Sequence, residues 1–508
     1  MSADAPRRGR RGSRTSGGLS QPPFGQVERI YAPLEVLSAD QVEQIHRAAL
    51  RLLAVTGMRI LEPGARALYK SAGCEVRGED VRFPEGMIEA RLASVPARFT
   101  LRARDPAKNL TLGGGAHIYA SVGGPAYVMD NEGGRRDGSY AEMCDFLRLV
   151  QSLNVLHQEG GGPFEPLDLP AATRHLDIYH AQITLLDKCW QNQTLGRLRT
   201  IDGIEMQRIA LGLTPDEMVA TPTLMGIINT NSPLQLDIPM GEGLIAMAEH
   251  GQVNVITPFT LAGAMSPVTL AGALMQQHAE AMAGIALTQI VRPGVPVLYG
   301  GFTSNVDMRS GAPAFGTPEY TKAAQASGQL ARRIGVPFRS SNVCAANEVD
   351  AQAAYESQMS LWGAVMGGAH LINHAAGWLQ GGLTASFEKL ILDAEMLQMI
   401  EEWLKPIDVS EASLALDVVS EVGPGGHFFG TEHTMARYER AFYTPLLSNW
   451  DNHPQWLERG GVEARARAGQ IWKQMLADYE QPAMDPAILE ELEAFMRRRK
   501  AEGGAPMN

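Results

Sequence analysis

Arginines, amides, histidines and aromatic side chains recur where short apolar runs give way to glycine or polar residues. Arg339 follows VPF and Arg309 follows NVDM, and a guanidinium forks a carboxylate through two parallel hydrogen bonds. Tyr119, Phe315 and Trp378 stand in or beside such run ends, as do Tyr127 and Tyr355. Aromatic faces attract a quaternary ammonium that has no hydrogen to donate. Gln191, Asn231 and Glu159 would complete a polar wall, with His157 and His374 beside it. A small ligand carrying both a carboxylate and a quaternary ammonium suits this mixture, although each aromatic taken singly also suits a core position.

The same residues argue against other chemistry. A hydrolase of sugars places two carboxylates across its substrate, and no such pair closes these runs. His157, Glu159, His370 and His374 raise the question of a metal. The HxxxH spacing of the last two falls on a strand and its loop rather than on one helical face, and no Glu follows the first His. Histidines in ordinary hydrogen bonds, and no bound metal, are therefore expected. No GxSxG elbow, no GxGxxG after a strand and no GxxxxGK[ST] occurs, which leaves no sign of a serine nucleophile or a nucleotide site.

Something must hold these groups together, and the spacing of the runs shows what. HIYASVGG (117–124), NVLHQEGGG (154–162), KCWQNQT (188–194), PTLMGIINTN (222–231), VNVITPF (253–259), GVPVLYGGF (294–302), GVPFRSSN (335–342) and GAHLINHAAG (368–377) read as eight strands. Helical stretches follow each, at 139–152, 171–186, 201–212, 239–249, 268–291, 317–334, 350–366 and 386–404. Eight strand-then-helix units predict a (β/α)8 TIM barrel, although a count cannot by itself exclude an open sheet. In such a barrel the residues at the carboxyl ends of the strands form the site, a rule that also selects Asn229, Thr257, Tyr299, Asn342 and Asn373.

The expected class is α/β, with the barrel at 116–405, an N-terminal α+β subdomain at 27–115, a disordered tail at 1–26 and a mostly helical extension at 406–508. Within the extension, GPGGHFFGTEHTMARYERAFYTP is rich in glycine and aromatics and is expected to cover one end of the barrel. The 508 residues carry 44 Lys and Arg against 56 Asp and Glu, a formal charge of −12, which disfavours nucleic acid and anionic membranes as partners. The basic tail PRRGRRGSR lacks a following apolar stretch, so it reads as a solvated tail rather than an export signal. Four scattered cysteines without a CxxC pair and the lack of a long apolar run suggest reduced thiols in a cytoplasmic protein. Self-association is possible, but no residue in the sequence indicates an interface.

Four segments, NVDMRSGAPAFGTPEY (305–320), VPFRSSN with DAQAAYES (350–357), HAAGWLQGGLTASFEKLILDAEML (374–397) and GGHFFGTEHTMARY (425–438), resemble the trimethylamine methyltransferase family of corrinoid-dependent enzymes. Their order extends the resemblance from about residue 30 to about 480. It implies a TIM barrel that moves a methyl group from a methylated amine to the cobalt of a cobalamin carried by a separate corrinoid protein. The founding trimethylamine enzymes carry a pyrrolysine before the DAQAAYE-like helix, whereas this loop reads VCAANEV, all ordinary residues. That departure directs attention to the branch without pyrrolysine, which acts on glycine betaine. A quaternary ammonium leaves as a neutral amine and needs no general acid, so a site of amides, aromatics and histidines suits it. Arg339, or failing it Arg309, would bind the carboxylate, with His374 and Tyr119 flanking and Gln191, Asn231 and Glu159 completing the wall; His374 and Glu159 are the expected catalytic residues. Carnitine, proline betaine, γ-butyrobetaine or trimethylamine would serve the same chemistry. A metal-dependent barrel hydrolase or lyase, or a non-catalytic binding subunit, is the more distant reading.

Overall fold

Alternating apolar letters and glycine-ended helices fold into one closed barrel. A computed structural model describes residues 19–505. Eight short strands form its centre: β1 (Ile118–Tyr119), β2 (Gln158–Glu159), β3 (Cys189–Asn192), β4 (Met225–Ile228), β5 (Val253–Ile256), β6 (Val297–Gly300), β7 (Phe338–Ser341) and β8 (Leu371–Asn373). Every neighbouring pair is parallel, and β8 returns to β1 through Leu371–Ile118 and Ile372–Tyr119. Closure is completed between β1 and β2, where Ala120 bridges Gln158 and the His157 N–H donates to the Tyr119 carbonyl at 2.9 Å. A barrel rather than an open sheet is thus established.

The eight helices stand where the spacing predicts: α1 (Tyr140–Ser152), α2 (Arg174–Leu185), α3 (Arg197–Ala210), α4 (Ile238–Glu249), α5 (Leu270–Val291), α6 (Pro318–Arg333), α7 (Ala351–Gly367) and α8 (Phe387–Trp403). Their ends obey local chemistry. Ser139 and Glu142 form a capping box on α1, and the Asp350 carboxylate caps α7 by accepting from Ala353 N–H at 3.1 Å. Gly368 ends α7 at φ 86°, a conformation that favours glycine.

Strand alternation divides side chains into two layers. Ile118, Cys189, Met225, Val253, Leu298 and Leu371 pack inside the barrel, while Tyr119, Trp190, Ile256, Tyr299 and Ile372 face the helices. The interior is sealed at the amino-terminal end by the hairpin Phe99–Leu101 and Leu110–Leu112, whose leucines join the same inner cluster. The N-terminal region also supplies a helix, Ala39–Val55, and a small sheet built from Met58–Ile60, Glu75–Arg77 and Asp80–Arg82.

Two expectations need correction. Residues 1–18 of the tail lie outside the described residues, but the stretch after them is packed: Gln21 bonds Ser152 O and Asn154 N, and Gln26 exchanges two hydrogen bonds with Thr111. The glycine-rich and aromatic stretch after α8 does not cover a barrel end. No residue from 405 to 445 is buried, because the chain leaves the body after Leu404 and returns only at Leu446, whose N–H donates to Glu395. Beyond it, the helix Ala464–Ala477 packs on α8 and α1, and Pro486–Ala501 packs on α2 and α3, where Arg499 pairs with Asp202 at 2.6 Å.

Candidate active site

The carboxyl ends of the strands surround a cavity of about 630 Å³. Inward-facing positions reach it directly. Gln191 on β3, Arg339 on β7 and Asn373 on β8 form its floor, and the Gln191 amide donates to Asn373 Oδ1 at 2.9 Å. Arg339 is only 1 % exposed, and its guanidinium has no ion pair or hydrogen bond to any described residue; Nε and Nη1 are buried without a partner. Its guanidinium carbon lies 5.3 Å from the centre of the Phe302 ring. Burial lowers its pKa from 12.5 to about 10, so it is still charged at neutral pH, with no carboxylate to balance it. The Asn373 Nδ2 donor beside it is also unpaired. A buried cation and an unused amide donor facing a cavity form a ready site for an anionic group.

The adjoining wall is aromatic. Phe259 and Phe302, which follow β5 and β6, lie 5.2 Å apart, and Trp378 faces the same space. The His374 ring lies against Trp378, centroids 4.4 Å apart and inclined by 45°, and the residue is held at φ 52° by its turn, while its Nδ1 accepts the Gly123 N–H at 3.3 Å. Burial and the charge of Arg339 keep this imidazole neutral, well below its usual range. Glu165 at the rim does not neutralise Arg339, because it pairs with Arg174 at 3.0 Å.

A third wall is bare backbone. Gly123 and Gly124 after β1 meet Gly160 and Gly161 after β2, and a Cβ on Gly123 would stand 1.9 Å from the Gly160 carbonyl oxygen. Only glycine fits there. Behind this wall, Glu159 accepts from Gly161 N–H at 2.9 Å, from Gly162 N–H at 2.7 Å and from the Gln182 amide. Burial raises its pKa to about 7 despite these bonds. A similar arrangement shapes the β4 loop, where buried Glu280 accepts from Thr230, Ser232 (2.7 Å) and Leu234 N–H (2.9 Å).

Of the residues expected at the site, Arg339, Gln191, Asn231, His374 and Trp378 line the cavity, as do Asn229, Thr257 and Asn373. Asn231 sits at the rim, where it bonds Asp237 at 3.0 Å. The others do not line it, each for a physical reason. Glu159 has outward parity and faces α2 through Gln182. Tyr119 is likewise outward and buried among the helices. His157 and His370 precede their strands and lie at the sealed end, bonding Gly25 O at 3.0 Å and Gly114 O at 3.1 Å. His370 and His374 therefore occupy opposite ends of β8. Arg309 is exposed on the loop after β6. Phe315 is one layer back, 5.8 Å from Phe302 and 6.4 Å from Trp378. Among the described residues no three His, Cys, Asp or Glu side chains come together as metal ligands would. Phe259 and Phe302 were not legible as site residues, since a phenylalanine ending an apolar run looks like core; Asn373 was marked by its strand-end place.

The profile of the family described as trimethylamine methyltransferase (MTTB) matches residues 4–504. The chain belongs to this family. It is 37 % identical over 470 residues to the glycine betaine methyltransferase of Desulfitobacterium hafniense (strain Y51), covering 92 % of this chain and 98 % of that protein. Identity to the trimethylamine methyltransferase MttB of Methanosarcina barkeri (strain Fusaro / DSM 804) is 26 % over 486 residues, covering 91 % and 94 %. The solved monomethylamine methyltransferase MtmB of Methanosarcina barkeri superposes with a TM-score of 0.51 over 88 % of each chain at 10 % identity, a likeness of fold. The chain is thus a methyltransferase with a TIM-barrel fold, and the hydrolase, lyase and non-catalytic readings fall away.

Proposed function

We propose that this methyltransferase takes a methyl group from glycine betaine, releases the tertiary amine, and passes the methyl to a corrinoid protein docked over the strand carboxyl ends. The observation that carries the substrate is Arg339, a buried cation without a counter-ion in a cavity with an aromatic wall. Similarity to a protein named glycine betaine methyltransferase supports the same substrate. The corrinoid, carried by the partner, supplies a Co(I) nucleophile as methyl acceptor.

The chain's own task is positioning and desolvation. Arg339 and the Asn373 amide bind the carboxylate, with Gln191 fixing the amide. Phe259, Phe302 and Trp378 surround the ammonium and favour its charge over water. Neutral His374 braces Trp378 and adds no positive charge beside the ammonium. Glu159 acts from behind as a positioning residue that keeps the glycine wall open to the mouth. No side chain must give a proton, since the leaving amine is neutral.

Trimethylamine lacks the carboxylate and would leave Arg339 unpaired, while carnitine, proline betaine and γ-butyrobetaine keep it. Mixing the protein with Co(I) cobalamin and each amine, and following loss of the Co(I) absorbance, tests the reading. Glycine betaine should be demethylated far faster than trimethylamine. Equal use of the two would overturn the proposal. No described helix is long and apolar enough to cross a membrane, and all four cysteines are free and buried, which supports a reaction in the cytoplasm.

A further inference from the structure

We infer that residues 405–445 are an arm by which two copies of this chain clasp each other, each arm lying on an apolar patch at the amino-terminal end of the other barrel.

The arm begins and ends on α8 and touches little else. Hydrogen bonds of residues 406–442 stay within the segment, and its helices, Glu411–Leu414, Leu416–Val422 and Glu432–Met435, are too short to be stable alone. Ten large apolar side chains between Ile407 and Phe442 are exposed, among them Ile407 at 86 %, Phe429 at 85 % and Phe442 at 85 %. At ~150–250 Å² for each aromatic side chain, and less for the aliphatic ones, they leave roughly 1,000 Å² of apolar surface in water. The largest apolar patch of a typical monomer is about 300–600 Å². Two such arms covered together would bury about 2,000 Å² of arm surface alone, which reaches the range of obligate homodimers.

The body offers a matching surface. Tyr31, Leu34 and Val36 run along the ends of α7 and α8, where Met399 and Trp403 are also exposed. The patch is continuous: the Tyr31 and Trp403 rings lie 4.8 Å apart, the Trp362 and Trp403 rings 4.7 Å apart, and Leu34 N–H donates to Met366 O at 2.7 Å. Charge agrees as well. From 406 to 436 the arm carries Asp408, Glu411, Asp417, Glu421 and Glu432 and no Lys or Arg. Arg29 and Arg332 lie beside the patch, and neither forms a close ion pair among the described residues, Glu35 facing Arg332 only at longer range.

The occupant must be a second copy rather than the methyl acceptor. The arm leaves α8 at its carboxyl end, beside the sealed end of the barrel, whereas a protein serving the cavity must sit at the opposite end. An anionic membrane is disfavoured by the acidic first half of the arm.

Sedimentation velocity of the full chain at micromolar concentration tests this. Wild type should sediment as a dimer or a higher even assembly. The double variant Phe429→Glu with Phe442→Glu, and separately Met399→Glu on the patch, should sediment as monomers with unchanged far-ultraviolet circular dichroism. A monomeric wild type, or arm variants of unchanged mass, would overturn the inference. Loss of the dimer in the arm variant but not in Met399→Glu would overturn the assignment of the patch. Co-sedimentation of a monomeric wild type with phosphatidylcholine–phosphatidylglycerol vesicles would assign the arm to membranes instead.

Discussion

Replacing Arg339 with methionine should move stability and activity in opposite directions. In the unliganded protein the guanidinium is buried without a partner, and its pKa falls from 12.5 to about 10. At ~1.4 kcal/mol per unit, holding that charge in place costs about 3 kcal/mol. The sign follows from the direction: for a cation whose folded pKa lies below its unfolded one, the cost is complete at every pH below the folded value. It is relieved only as pH climbs through 10 toward 12.5, so at pH 7.5 it acts in full. Methionine fills similar space without charge and gives up only the contact with Phe302, about 0.5–1 kcal/mol. The apparent Tm of Arg339→Met should therefore rise by about 2–5 °C. Meanwhile the carboxylate loses its charge-assisted hydrogen bonds, roughly 3 kcal/mol or more, and kcat/KM for glycine betaine should fall at least ~100-fold. Thermal unfolding and the Co(I) absorbance assay give the two numbers. A lowered Tm would show that Arg339 is structural, and a kcat/KM within ~5-fold of wild type would show that it does not hold the substrate.

Further outcomes follow from the same geometry. Arg309→Ala, on an exposed loop, should leave kcat/KM within about 2-fold, as expected for a surface change without partners; a loss rivalling that of Arg339→Met would reassign the carboxylate site. Trp378→Leu should raise KM for the quaternary amine by ~3- to 30-fold, the worth of one cation–π face, with a smaller change in kcat. Glu159 has a folded pKa of about 7 against 4.5 unfolded, so the stability it contributes is complete below pH 4.5 and is lost as pH rises through 7. The Tm of wild type should thus fall relative to that of Glu159→Gln between pH 5 and 7.5; parallel curves would deny the shift. Glu280→Ala should lower stability by about 2–4 kcal/mol in denaturant titration, because Thr230, Ser232 and Leu234 N–H lose a common acceptor.

Much of the architecture was legible because it rests on periodicity. Eight runs and eight helical stretches mark the barrel. The site was read less well, for want of parity. Strand-end position selected Tyr119, Glu159, Gln191 and Arg339 alike, yet on these short strands a shift of one residue sends a side chain to the helices instead of the mouth. Fixing Gln191 and Arg339 as inward and counting by twos from each run's apolar residues would have turned Tyr119 and Glu159 outward. His157 and His370 fail for another reason, since they open their runs and so fall at the sealed end. The aromatic wall carried no local signal: Phe259 and Phe302 become a site only because neighbouring strands bring them together. Likewise nothing in GGHFFGTEHTMARY reveals that its aromatics find no surface on their own chain.

The hairpin that seals the amino-terminal end has a kinetic consequence. With Leu101, Leu110 and Leu112 closing the amino-terminal end, the proposed reaction would bring small molecule and methyl acceptor to the same opening. Under that proposal traffic is ordered: amine first, acceptor second, and the demethylated product held until the acceptor departs. Excess acceptor should then slow turnover by blocking the opening before the amine arrives, and the rate of acceptor departure sets a ceiling on turnover that no change in the cavity itself can raise.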